Sequence, residues 1–194
     1  MSLPENKLSS KVVTAAFLTP LRNSPDVDYE WGGVALRDTS QGLLKYQWRS
    51  SYLGGSLRLH NGITASVEVI KSDGITHHSF AFDQNMNPCV VYNKAGTTYY
   101  YGYDPIDGKQ TTMSFDVYME YPQVSLDDHR QHQVGASDII LSYIRDDKLY
   151  YRLQRERYLQ EHFLEDVPHM KLMQIGMSNN LRFRWRYVRK KQGE

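Results

Sequence analysis

Hydrophobic and polar residues alternate along most of the chain after the first 30 residues, a pattern typical of half-buried β-strands. Leu57 and Leu59 precede the sequence HNGIT, residues 60–64, and Val67 and Val69 follow it with the same spacing. Its Asn-Gly pair predicts a β-hairpin. A second hairpin is expected at SDGIT, residues 72–76. Further turns are indicated at 94–98, 105–110 and 144–149. Turn signals at intervals of about 8–14 residues predict an all-β protein.

An internal repeat of about 45 residues is indicated by four similar openings. The openings are centred on Leu36, Phe82, Leu126 and Leu172. Two of the units share a further pattern. In one, an apolar run ends at Tyr92, a turn follows, and a second strand begins at Tyr99. In the other, the corresponding residues are Tyr143 and Tyr150. We therefore expect antiparallel meander repeats, arranged like the blades of a β-propeller or as a sandwich. Chance similarity between β-hairpins is the alternative to a true repeat.

The composition divides the chain into three segments. Residues 1–30 are rich in Pro, Ser and Asn and are interpreted as an extended N-terminal arm, with one short strand at 12–18. A frayed terminus is the alternative for this arm. Residues 31–188 are expected to form the all-β domain, and residues 189–194 a basic C-terminal tail.

One stretch has an ambiguous pattern. The sequence YRLQRERYLQEHFLEDV, residues 151–167, has the composition of a helix. Its apolar positions fit neither the helical nor the strand period. The pattern favours a strand over 148–154 and leaves 155–166 open between helix and strand.

Charge and cysteine content restrict the classes of function. The chain carries 23 Lys and Arg against 22 Asp and Glu, a net charge of +1, so nothing in its balance favours nucleic acid or an anionic membrane. The single cysteine, Cys89, excludes an intramolecular disulfide and is interpreted as a buried hydrophobe. No apolar run approaches the ~20 residues of a membrane span. The N-terminus lacks a signal peptide's apolar stretch, so folding in a cytosol is expected.

The sequence GTTYYYGYDP, residues 96–105, places four tyrosines within five positions. In a strand, Tyr99, Tyr101 and Tyr103 share one face and Tyr100 lies on the other. The favoured interpretation is packing in the core and at its rim, with Tyr100 remaining exposed. The alternative is that these four tyrosines form a contact face for a partner protein or a glycan.

The C-terminal sequence LRFRWRYVRKK predicts an amphipathic strand. Its apolar positions are Leu181, Phe183, Trp185 and Tyr187, and its basic positions are Arg182, Arg184 and Arg186. The three arginines are candidate partner-binding residues, and an acidic neighbouring subunit is the favoured partner. Aromatic residues interleaved with arginine also suit nucleic acid, but we do not expect it because the chain has no basic excess.

The sequence contains only weak signals for catalytic or metal-binding residues. His129 and His132 lie near two carboxylates, but zinc needs a third ligand and a rigid scaffold, so a solvated loop is favoured. His77 and His78 point to opposite faces of a strand and cannot readily chelate one ion. Carboxylates for glycoside hydrolysis would come from Asp83, Asp127, Asp128 and Asp138. Aspartates at strand ends more often bond local backbone, so we predict no catalytic residue, no metal and no cofactor.

Four stretches together resemble a virion structural protein of tailed bacteriophages, of the kind encoded among the tail genes of short-tailed phages. They are YEWGGVALRDTSQGL (29–43), SFAFDQNMNPCVVY (79–92), SDIILSYIRDDKLYYRLQRERY (137–158) and LMQIGMSNNLRFRWRY (172–187). The resemblance runs through most of 12–188 and carries no catalytic motif. It implies a non-enzymatic structural subunit of the phage tail or of the tail-fibre attachment, assembled in the host cytoplasm.

The same resemblance implies contacts with other virion proteins and a homo-oligomer in the assembled particle. The arm could add a strand to a neighbour's sheet. A host receptor- or glycan-binding module of the tail is the alternative function. A glycan-cleaving enzyme is a weaker one, since it depends on the strand-end aspartates.

Overall fold

The computed structural model describes residues 29–39, 42–53, 56–61, 67–83, 87–104, 107–126, 138–177 and 182–191. Fourteen β-strands and one short 3₁₀ turn make up the regular structure of these ranges, and every strand pairing in them is antiparallel. The predicted all-β class is confirmed. The described ranges hold no helix long and apolar enough to cross a membrane.

The first two sheets are four-stranded meanders in which each strand pairs with the next along the chain. The first sheet comprises β1 (Tyr29–Thr39), β2 (Gly42–Leu53), β3 (Ser56–Asn61) and β4 (Val67–Ser72). The second comprises β5 (Ile75–Phe82), β6 (Pro88–Lys94), β7 (Thr97–Asp104) and β8 (Lys109–Ser114).

The third sheet is again a four-stranded meander, and the fourth sheet has two strands. The third comprises β9 (Glu120–Leu126), β10 (Ile139–Arg145), β11 (Lys148–Leu153) and β12 (His162–Asp166). The fourth comprises β13 (Met170–Met177) and β14 (Phe183–Arg189).

The repeat openings coincide with the sheet boundaries. Leu36, Phe82, Leu126 and Leu172 lie in β1, β5, β9 and β13, the first strand of each sheet. Tyr92 pairs directly with Tyr99, and Tyr143 pairs directly with Tyr150, so the same tyrosine pair joins the second and third strands of two sheets. The antiparallel meander units are therefore present, whereas a propeller arrangement of the sheets stays a prediction.

The turns predicted at 72–76, 94–98 and 144–149 are present, but the first joins different elements from those expected. The chain passes from β4 to β5 through SDGIT, and these strands belong to separate sheets, so this turn is not a hairpin. Gly74 has φ +75 there. An Asp-Gly sequence favours a tight turn. Whether the two flanking strands share a sheet depends on which strands hydrogen-bond to each other, and the turn residues do not determine that. At 94–98, by contrast, Ala95 and Gly96 both have positive φ and close the β6–β7 hairpin.

The ambiguous stretch contains a turn and a strand and no α-helix. β11 ends at Leu153, close to the predicted end at 154. A 3₁₀ turn over Gln154–Glu156 follows, then Arg157 and Tyr158 with φ of 54° and 58°. β12 then pairs antiparallel with β11. The 3₁₀ turn and the two residues with positive φ interrupt the strand pattern, so the apolar positions fit no single period. Residues 154–161 are called the β11–β12 link below.

The third sheet lies between the second and the fourth. β9 packs beside β5 on one side and beside β13 on the other. Leu141 and Tyr143 of β10 join a core cluster shared with the second sheet. Ile140 and Ile144 join a separate cluster shared with the fourth sheet. A sheet buried on both faces has apolar residues at successive positions, which explains the unbroken apolar run at the start of β10.

Some of the sequence predictions fall outside the described residues. These are the arm strand at 12–18, the loop carrying Asp127, Asp128, His129 and His132, the tips of the turns at 60–64 and 105–110, and the last three residues of the basic tail.

Candidate functional site

The tyrosine-rich stretch forms β7, which lies between β6 and β8. Tyr100 and Tyr101 are 5% and 4% exposed, so both faces of this strand are buried at its centre. The expectation that Tyr100 remains exposed is wrong. Its face is covered by the β11–β12 link, and the ring centroids of Tyr100 and Tyr158 lie 5.0 Å apart.

The opposite face of β7 carries the other three tyrosines. Tyr99 stacks on Tyr92 with a centroid separation of 5.3 Å. Burial, followed by the neighbouring Tyr103 and Tyr92, raises the pKa of Tyr101 to about 12. Tyr99 and Tyr103 are half-buried. This packing favours the core-and-rim interpretation and leaves only Tyr99 and Tyr103 of the cluster within reach of a partner.

The C-terminal strand β14 shows the predicted alternation. Arg184 and Arg186 are exposed, as is Arg182 just before the strand. Phe183, Trp185 and Tyr187 pack against the core cluster between the third and fourth sheets. The Trp185 indole Nε1 donates a hydrogen bond to Ser142 Oγ of β10 at 3.0 Å. The arginines and the tyrosine cluster therefore lie on different sheets and form two separate surfaces.

A cavity of about 580 Å³ lies between the second sheet and the β11–β12 link. Its floor follows the pairing across three strands, because Cys89 of β6 is opposite Gly102 of β7, and Gly102 is opposite Thr111 of β8. Tyr100 is on the same face of β7 as Gly102. Tyr158 and Arg157 of the link form part of the facing wall.

Polar groups converge at one end of this cavity. The Asn87 backbone N–H donates to Asp83 Oδ1 at 2.9 Å, and the Asn87 side-chain amide donates to Asp104 Oδ2 at 3.2 Å. Lys109, the first residue of β8, lies opposite Asp104 in the strand register. The two carboxylates are thereby held beside each other, with a cation nearby.

The cavity wall is anchored by a buried arginine. Arg152 is 8% exposed. Its Nη1 donates to the Tyr158 carbonyl oxygen at 2.8 Å, and its Nε donates to the Tyr143 hydroxyl at 3.0 Å. Arg145 forms a bidentate pair with Glu161, at 2.8 and 2.6 Å, and the Tyr143 hydroxyl also bonds Glu161.

The electrostatics of this cluster keep Glu161 ionised. Burial alone would raise the pKa of the Glu161 carboxyl, but hydrogen bonds from Tyr143 and Arg145, with the charges of Arg145 and Arg152, hold that pKa below its usual value. Burial and the bond to Glu161 raise the pKa of the Tyr143 hydroxyl. The network therefore fixes the backbone of the link, and with it the position of Tyr158.

The other reactive groups proposed from the sequence are held by burial or by local hydrogen bonds. Cys89 is 1% exposed, and burial, reinforced by Asp83, raises its thiol pKa, so it is a buried hydrophobe as predicted. Asp138 accepts hydrogen bonds from the Arg155 backbone N–H at 3.0 and 2.9 Å. Burial lowers the pKa of His78 to about 4, while His77 packs edge-on against Tyr121. Within the described ranges no group of three or more His, Cys, Asp or Glu side chains could hold a metal.

Comparison of the chain with protein-family models, with curated proteins and with solved structures returns no match. The candidate site therefore has to be judged by its own geometry. The sequence prediction included Tyr100 and Tyr103, which line the cavity, and missed Tyr158 and Arg157, which form its wall. Gly102, inside a strand pattern, was the available signal, because a glycine there often marks the close approach of a ligand.

Proposed function

We propose that this chain is a non-enzymatic structural subunit of a bacteriophage virion, located in the tail or at the tail-fibre attachment. It acts through contacts with other virion proteins and with copies of itself. The observation that supports this role best is the construction of β14. This strand turns Phe183, Trp185 and Tyr187 towards the core and presents Arg184 and Arg186 to solvent.

Two physical properties make β14 suitable for assembly. Within the described ranges it pairs only with β13, and a strand with an open edge offers backbone groups to another chain. Its exposed arginines give a fixed positive strip, which speeds and orients docking on an acidic neighbour. The aromatic residues behind the strip keep the strand in place. The four stretches that resemble phage virion proteins supply the biological setting of the proposal.

The role is tested by locating the protein in intact particles of the phage that encodes it. Gold-labelled antibody and electron microscopy should place it at the tail, and particles lacking the gene should lose a defined tail density. Purified particles that contain no copy of this chain would refute the assignment.

A charge-reversal pair tests whether β14 is the contact surface. Arg184→Glu with Arg186→Glu should block incorporation into particles while the purified protein remains folded. The matched control is Lys71→Glu with Lys148→Glu, which changes the charge equally at two other exposed positions. Normal incorporation of the β14 double variant would exclude this strand as the contact.

A second candidate function is a host receptor- or glycan-binding module of the tail. The observation that favours it is the cavity beside β7, because it combines aromatic rings with carboxylate and amide groups. Such a module would bind isolated glycan, and loss of that binding would leave particle assembly intact.

A further inference from the structure

We propose that strand β14 of one copy of this chain docks along strand β12 of a second copy, so that identical chains join head to tail. This inference rests on the proposed assembly role of β14, and it adds the identity of the partner and the surface that receives the strand. The receiving surface, called the β12 surface below, comprises Leu159, Phe163, Glu165 and Asp166.

The first supporting observation is that both strands lie at the edge of their sheets. Among the described residues β12 is the outermost strand of the third sheet, and β14 pairs only with β13. The outer side of each strand therefore offers backbone N–H and C=O groups for pairing with another chain. β12 has five residues and β14 has seven, so β14 is long enough to run along the whole of β12.

The second observation is that exposed apolar side chains lie on these two surfaces. Leu159 is 76% exposed and Phe163 is 55% exposed, the two highest values among the large hydrophobic residues that the structure describes. On β14, Val188 is 40% exposed and lies on the same face of the strand as Arg184 and Arg186. Apolar side chains at the centre of a contact supply much of its binding free energy, while charged groups lie at the rim.

The third observation is that the two strands carry opposite charges. β12 has Glu165 and Asp166, both exposed, and no Lys or Arg. β14 has Arg184, Arg186 and Arg189, all exposed, and no Asp or Glu. Opposite charges across a strand pair stabilise it, and like charges directly opposite destabilise it. Pairing of β14 with β14, or of β12 with β12, would bring like charges together, so the mixed contact is favoured.

The partner is identified as a second copy because one chain carries both surfaces. The net charge of +1 leaves little general repulsion between copies, so local charges decide whether they associate. A contact between two different surfaces is heterologous, and its repetition produces a ring or a filament.

Analytical ultracentrifugation of the purified full chain tests the proposal. The wild-type protein should associate as its concentration rises through the micromolar range, and added salt should weaken the association because it screens the charges. Two charge-reversal variants each change one surface. They are Arg184→Glu with Arg186→Glu on β14, and Glu165→Lys with Asp166→Lys on β12. Each variant alone should associate about a hundredfold more weakly than wild type.

Mixing the two variants distinguishes self-contact from docking on a different protein. In the mixture, the β14 strand that has become acidic meets the β12 strand that has become basic. Association should therefore return in the mixture, although neither variant associates well alone. Melting temperatures of the separate variants establish that both are folded.

Two controls separate the charge effect from other changes. Glu165→Lys also removes the hydrogen bond that the Tyr187 hydroxyl donates to Glu165 Oε1 at 2.8 Å in the same chain. Tyr187→Phe removes that bond alone and should associate as wild type does. Asp73→Lys with Asp116→Lys changes the charge equally at two exposed positions outside both strands, and should also leave association unchanged.

A wild-type chain that stays monomeric up to millimolar concentration would overturn the proposal. Normal association of either charge-reversal variant alone would overturn it as well. So would two folded variants whose mixture does not associate, because the two surfaces would then not meet. None of these results changes whether the protein is present in virions, so failure of the self-contact is distinguishable from failure of the structural role.

Discussion

The strands β7 and β14 are both rich in aromatic residues but have opposite surroundings. Three of the four tyrosines of β7 are consecutive, whereas the aromatic residues of β14 alternate with other side chains. In β7 the central residues Tyr100 and Tyr101 are buried on both faces. In β14 one face is half-buried and the other, bearing Arg184 and Arg186, is exposed.

The difference follows from position in the fold. β7 has a strand on each side, and the β11–β12 link covers one face, so aromatic residues serve as core on both faces. β14 pairs with a single strand among the described residues, and its outer face must remain polar. Aromatic density in a sequence therefore indicates a strand, and the neighbours of that strand decide whether the rings are available to a partner.

The largest expected effect is on β7. Tyr100→Ala removes a buried ring that packs against Tyr158, and should lower the free energy of unfolding by about 4 kcal/mol, as other large-to-small core changes do. Tyr187→Ala in β14 removes a half-buried ring and should cost less than half as much. Urea denaturation of both variants measures the difference. Equal losses would contradict the contrast between the two strands.

The second effect concerns pH and the sheet that contains β7. The pKa of His78 is about 4 in the folded protein because the side chain is buried, against about 6.5 unfolded. Below pH 6.5 the unfolded chain takes up a proton that the folded chain does not, so stability falls as the pH drops towards 4. The full loss is about 3 kcal/mol.

Urea titrations at several pH values between 7 and 4 measure this slope. His78→Gln removes the proton-binding group, so its stability should depend less on pH over that window than the stability of wild type. Parallel pH profiles for the two proteins would show that His78 is not buried in its neutral form.

These two strands also show what a sequence can and cannot predict. Alternation and turn residues located the strands, and the Tyr92–Tyr99 and Tyr143–Tyr150 correspondence located two equivalent hairpins. Those signals are local, since a hairpin is determined by its turn and its own side-chain pattern.

The burial of Tyr100 could not be predicted in that way. It depends on Tyr158, which lies in the link between two strands of another sheet, a stretch whose apolar residues follow no regular period. The cavity has the same origin, because its floor and its wall come from segments far apart in the chain. The prediction of a hairpin at SDGIT was wrong for a related reason. Local residues specify a turn, but they do not specify the sheet to which the next strand belongs.

The third prediction concerns the hydrogen-bonded network around Glu161, which holds the β11–β12 link over β7. Glu161→Ala leaves the buried Arg152 without its carboxylate partner and should lower stability by about 2 kcal/mol, less than for a fully buried pair because Glu161 is partly exposed. Asp146→Asn is the control, since Asp146 also lies near Arg145 but is 89% exposed and at 3.9 Å, and asparagine tolerates the positive φ of this position. It should change stability little.

Thermal unfolding and tyrosine fluorescence report on Glu161→Ala together. Because the link carries Tyr158, the variant should also make the Tyr100 region more accessible to a neutral quencher. A stability loss without any change in quenching would mean that the network supports the third sheet and not the cavity wall.

The smallest effect is on β14. Trp185→Phe keeps an aromatic ring facing the core but removes the indole donor to Ser142 Oγ, so stability should fall by about 1 kcal/mol, the usual net value of one hydrogen bond. Ser142→Ala removes the acceptor of the same bond. If the bond carries the effect, the double variant should cost less than the sum of the two single changes. Strict additivity in chemical denaturation would show that β14 is held by ring packing alone.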